Sequence, residues 1–298
     1  NSAVQAEPDD YPLILEVSGG IDLVTGTEPD FQMVSVVMSA ADDQVNINPF
    51  TTIIVKAAQS MPGGVTQENI QLARAFIAND LEFGLDYDAV PDPVTTIITD
   101  DNIAHIVKAS ETLGEMIRRV RDASAAAGEV LSGDDVVDII SADMADGFLD
   151  GIGAHDTYAE IATLIRVVSA QVLVESLGNQ LKVNGVVASG AMDNAIQISH
   201  PYADGSALTG SVGVTPYLLA QTKALLEETR NMQAITEVDQ LLDAVAAITM
   251  EMTAEDIAMI LPVNAGAALE PGIQQAAANM VQARLRVNPI GVRKIVAP

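Results

Sequence analysis

The hydrophobic pattern changes period once, near residue 45. Before that point the apolar residues come in short β-branched runs, YPLILEV over 11–17 and FQMVSVVM over 31–38, separated by Gly19-Gly20 and a turn-rich stretch. Runs of this length bounded by Gly, Asp and Pro predict strands. A pair of strands needs a further partner to be stable. From residue 49 the apolar spacing becomes helical. Pro49, behind Asn48, opens a helix over 49–61, and Thr66 caps the next, which runs through IQLARAFIANDLEFG. Asp100 or Asp101 opens a long helix through IAHIVKASETLGEMIRRVRDASAAAG, and Ser132 with Asp135 three places on opens another in capping-box style. A long apolar segment from Asp156 to Val183 predicts a central helix. Thr215-Pro216, Thr236 with Asp239, Thr253 with Asp256, and Pro271 start the remaining helices. The chain closes on VNPIGVRKIVAP, which reads as an extended, β-prone tail.

The pattern therefore predicts a mainly α fold. It is a helical bundle of about eight helices, with a small β element formed by the N-terminal strands and open to the C-terminal tail. The tail can pair beside 11–17 or 31–38. Residues 184–213 are rich in Gly and Ser and mark a domain boundary or a long functional loop. Three regions follow: 1–44, extended and β; 45–186, a first helical domain; and 187–298, the loop, a second helical part and the basic terminal strand.

Charge adds a polarity to this picture. Among 298 residues, 41 acids face 14 basic side chains, for a net of −27, although 49% of the chain is apolar and mean hydropathy is +0.27. That apolar share is too high for a disordered acidic chain. The first hundred residues hold sixteen acids against Lys56 and Arg74, whereas the tail carries Arg284, Arg286, Arg293 and Lys294 with no acid. The tail can fold back on its own domain or meet the acidic end of a neighbouring copy. So acidic a surface repels phosphate backbones, which argues against nucleic acid and anionic membrane surfaces as partners. Aromatics at 3% argue against stacking on bases or sugars. No run of 18 apolar residues occurs, so no membrane-spanning helix is expected. The absence of Cys removes disulfides, thiolate chemistry and Cys-based zinc sites.

Chemistry-bearing residues cluster in two stretches. In DMADGFLDGIGAHD, Asp143 and Asp146 share a helix face, and Asp150 and Asp156 follow among glycines. Carboxylates and turn carbonyls suit Ca²⁺, but the spacing fails the helix–loop–helix calcium pattern. The same residues serve as a helix end, a glycine turn and a cap on the next helix. In GLDYDAVPDPV, Asp86, Asp88 and Asp92 alternate around a proline-stiffened loop, either as cation ligands or as a solvated rigid turn. The histidines are His105, read as a packing residue, His155 beside Asp156, which can orient it as a base, and His200 in the Gly/Ser region. Neither a nucleophile elbow nor a glycine-rich phosphate loop is present.

The stretch VNINPFTTIIVKAA, with Asn46, Asn48, Pro49, Phe50, Thr51 and Thr52, resembles a recurring module of large bacterial secreted and surface-anchored proteins. There an Asn-Pro-Thr-Thr motif leads from an extended stretch into a helical bundle. YPLILEVSGGIDLVTG is similar to the last strands of the immunoglobulin-like or carboxypeptidase-regulatory-like domain that precedes such bundles. GLDYDAVPDPV and DMADGFLDGIGA also look like that module, and the resemblance covers about residues 11–180. It implies an exported bacterial protein, often lipid-anchored, without assigned activity. The strand region here is too short for a complete immunoglobulin-like domain.

The expected function is a non-enzymatic extracellular structural or assembly protein. It would be a surface-layer or filament subunit, joined to itself or to other cell-surface proteins by strand addition, with Ca²⁺ as the expected cofactor. Two alternatives stand: a secreted small-ligand-binding module with an aliphatic pocket, and a hydrolase using Asp143, Asp146, Asp150 or His155.

Overall fold

The computed structural model describes residue 7 and residues 10–153, 157–232 and 236–287. The fold is mainly α. Among the described residues it contains ten α-helices and two small antiparallel β elements. Strands β1 (Leu13–Val17) and β2 (Met33–Val37) pair with Leu13 opposite Val37 and Val17 opposite Met33. Strands β3 (Lys182–Val183) and β4 (Val186–Val187) form a minimal hairpin. The proposed third N-terminal pairing partner, 290–296, lies outside the described residues.

The helices begin where local chemistry satisfies their first N–H groups. Asn48 and Thr51 form a reciprocal capping box at the start of α1 (Pro49–Ser60). Thr66 caps α2 (Gln67–Asp80), and Ser132 with Asp135 caps α4 (Gly133–Asp143). Helix α3 (Ile103–Ala127) starts one or two residues later than Asp100 or Asp101 suggests, with Asn102 at the cap position. The Asn102 side chain instead accepts from Thr99 N–H at 2.8 Å and donates to the Ile97 carbonyl at 3.0 Å, so it ties the preceding loop.

Helix α5 (Ala159–Leu177) is the central element. Every residue from Val167 to Leu177 is buried, as expected of a helix apolar all round. It packs against α3, α7 (Pro216–Met232) and α10 (Glu270–Val287), while α8 (Thr236–Ala246) lies on α7 and α9 (Ala254–Ile260) on α5. One continuous apolar core runs from Phe31 to Met280. The Gly/Ser-rich segment is not all loop. It holds β4 and a helix, α6 (Ser189–Ser199), which buries Met192, Ala195 and Ile196 against α3. Gly190 and two serines disguise an i, i+3, i+4 apolar face there. No described helix is long and apolar enough to cross a membrane.

Candidate functional site

The β1–β2 ribbon is closed on one side and open on the other. The first turn of α1 closes it. Thr52 Oγ1 accepts the Val34 N–H at 3.0 Å, and Thr51 Oγ1 donates to the Val34 carbonyl at 2.7 Å. One step back along the same edge, the Gln32 N–H donates to Asp134 Oδ1 at 2.9 Å. In an antiparallel pair, residues whose backbone groups face outward alternate with those bonded across the ladder. With Val34 facing α1, its partner Glu16 must face away on the other edge, and so must Ile14, opposite Val36. The N–H and C=O of Ile14 and Glu16 have no partner among the described residues. The strand that carries them is exposed: Ile14 is 38% and Val17 43% accessible, and Ile21 and Leu23 in the following loop are more open still.

A buried charge network fixes this ribbon to the bundle. On α3, Glu111, Glu115, Arg118 and Arg119 share one face. Arg118 Nε donates to Glu115 at 2.7 Å, and its terminal nitrogens lie 3.3 Å from Glu111, 3.7 Å from Asp30 and 4.0 Å from Asp22. Arg121 also pairs with Asp30. Arg119 joins α3 to α5 by a two-pronged bond to Glu175, at 2.7 and 3.2 Å, and donates to the Lys182 carbonyl at 2.7 Å. Burial disfavours the Arg118 charge, but Glu115, Glu111 and Asp30 more than offset it and raise its pKa. Glu111 is pushed up to about 7, first by burial and then by Asp22, against the pull of Arg118. This network was missed from sequence. Its signal was the E-x-x-x-E-x-x-R-R spacing, which reads as a solvated helix face.

The two acidic stretches serve the backbone. Asp143 is buried, and its carboxylate accepts the N–H groups of Gly151, at 2.9 Å, and Gly153, at 3.1 Å. A Cβ on Gly153 would collide with the Asp143 backbone, and Gly151 has φ +83°, so glycine is required at both. Burial raises the Asp143 pKa, and those N–H bonds oppose the rise. Asp146 and Asp150 each accept a bond two residues on, from Phe148 and Ile152. His155 and Asp156 lie outside the described residues. Asp86 accepts the Asp88 N–H at 2.9 Å and lies 3.7 Å from His105, which is half-buried. Asp92 accepts the Val94 N–H and pairs with Arg74 at 2.8 Å. Among the described residues, no three His, Asp or Glu side chains are grouped to hold a metal ion.

Of the basic tail, Arg284 lies on α10 and pairs with Glu129. This sets the end of the last helix beside the start of α4, where Asp134 holds Gln32. The side chain of Arg286 and all of Arg293 and Lys294 lie outside the described residues.

Compared with known families, curated proteins and solved structures, the chain matches none of them.

Proposed function

We propose that the chain is a non-enzymatic assembly protein of a bacterial cell surface. In this reading it joins copies of itself by adding residues 288–298 of one copy to the open edge of β1 in the next. The observation that carries this is the exposed strand itself, with the backbone groups of Ile14 and Glu16 directed outward and unpaired among the described residues, while the opposite edge is closed at Val34 by Thr51 and Thr52 and at Gln32 by Asp134. An open edge of this kind is a template for strand addition.

The tail suits it in composition and charge. GVRKIVAP is β-prone, and Arg293 and Lys294 complement Glu16 and the acid-rich first hundred residues. Eleven residues reach roughly 36 Å when extended, enough to leave the bundle beside α4 and cross to another molecule. A head-to-tail contact of this type builds rings or filaments.

Multi-angle light scattering of the full chain and of a chain ending at residue 287 tests the reading. Concentration-dependent oligomers that vanish on truncation are expected. A full chain that stays monomeric across salt and protein concentration contradicts it.

A further inference from the structure

Away from the ribbon, the end of α2, the middle of α5 and most of α7 line a half-open cavity of about 330 Å³. Its lining holds three carboxylates, Asp80, Glu82 and Glu228, against one cation, Arg166. Ser169 is only 3% accessible and its hydroxyl bonds to nothing among the described residues. Other helical hydroxyls nearby, those of Thr222 and Thr229, donate to the carbonyl four residues back, whereas that of Ser169 does not. Gln221 donates its amide to the Asp80 carbonyl at 2.6 Å, which leaves its own buried side-chain oxygen unpartnered. Glu82 is 3% accessible and accepts one bond, from Thr215 at 3.0 Å. Asp80 accepts a long bond, 3.4 Å, from Leu149 N–H. The cation here is Arg166, which leans toward Glu228 at 3.4 Å. Leu149 and Leu225 supply an apolar wall.

We infer that this cavity is a binding site for a small primary ammonium ligand with a short aliphatic body. Its N–H groups meet Asp80, Glu82 and the Gln221 oxygen, Ser169 accepts or donates to whatever polar group reaches it, and the alkyl chain lies on Leu149 and Leu225. Buried polar atoms are nearly always bonded, and one left unpaired calls for an explanation. A cation carrying three donors satisfies this set, whereas a further acceptor does not. The two carboxylates are poised accordingly. Burial raises Asp80, and it pushes Glu82 up to about 7, helped by Asp86 and opposed by the Thr215 bond. A bound cation would draw both back down, and a protonated Glu82 would release its proton. The other charged or titratable groups facing them are Arg166 from α5, Tyr217 and Glu228 from α7, and Asp86 and Tyr87 from the loop after α2.

The test is calorimetric and NMR titration of the full chain with n-butylammonium chloride at pH 6 and pH 8, beside sodium and tetramethylammonium. Saturable binding is expected, tighter at pH 8, with buffer-dependent heats and shifts at Ser169 and Leu225. Loss of the charged acceptor in Glu82→Gln should weaken it by about tenfold. Ser169→Ala, which only trims an unbonded hydroxyl, keeps the fold and should weaken binding by about threefold; it carries the test if Glu82→Gln does not fold. No saturable binding at either pH overturns the inference. So does equal binding of tetramethylammonium, or binding unchanged in both variants, since each would reduce the effect to attraction by the acidic surface. The result is independent of assembly and is read equally in the chain ending at residue 287.

Discussion

The hydroxyl of Thr52 accepts the backbone N–H of Val34 at 3.0 Å, so the first turn of a helix completes the edge of a strand eighteen residues before it. Thr51 answers with a bond to the Val34 carbonyl, while Asn48 caps the helix that holds both threonines. Capping and edge closure thus share one short motif. Replacing Thr52 with Val keeps the shape and strands a buried N–H. A loss of about 2 kcal/mol in unfolding free energy is expected. Urea titration measures it, and Thr52→Ser, which retains the acceptor, should lose less. A Thr52→Val chain as stable as the parent would show that the bond is dispensable.

Arg118 is the second point of attachment. It gathers Glu115, Glu111, Asp30 and Asp22 around a single buried guanidinium. Arg118→Met preserves the packing stem but leaves Glu111 without its counter-charge and Glu115 with Arg119 alone. A loss of about 3 kcal/mol is expected. Glu111→Gln in the same chain should recover part of it, a coupling that a double-mutant cycle reads directly. Independent, additive losses would mean the groups do not act as a unit.

Stability should depend on pH in an unusual direction. Glu82 and Glu111 are both pushed up from 4.5 to about 7, chiefly by burial. Between those values the folded chain holds protons that the unfolded chain has released, so stability falls as pH rises. Their contribution is fully present below pH 4.5 and is lost as pH rises through about 7. The urea midpoint should therefore be higher near pH 5 than near pH 8. The double variant Glu82→Gln, Glu111→Gln should flatten that difference. A midpoint that rises over the interval, or a slope unchanged in the double variant, contradicts the assignment.

What the sequence revealed was mostly local. Thr66, the Ser132–Asp135 pair and the Thr253–Asp256 pair start helices where their spacing predicts, because a cap is made within four residues. The apolar-rich stretch after Ala159 gave the central helix because its composition and length are read within the segment itself. Three adjacent cap formers, Asp100, Asp101 and Asn102, left the start of α3 ambiguous, and the loop contacts of Asn102 decided it. Helix α6 was hidden by small residues whose burial depends on α3. The Arg118 and Arg119 networks were illegible for a different reason. Their partners Asp22, Asp30 and Glu175 are distant in sequence, and nothing local announces that a charged face will be buried. The cavity beside Ser169 has the same origin, assembled from α2, α5 and α7 only after folding.

The open edge of β1 is the centre of the account, and amide hydrogen exchange at Ile14 and Glu16 tests it most directly. Both N–H groups face outward and have no partner among the described residues, so protection has to come from a further segment. In the full chain their protection should rise with protein concentration. It should vanish in the chain ending at residue 287, and in Glu16→Pro at Ile14, since proline removes an outward N–H without touching the β1–β2 ladder. Protection that is independent of concentration would place the tail on its own ribbon, and none at any concentration would leave the edge unoccupied. Either result would contradict assembly by strand addition.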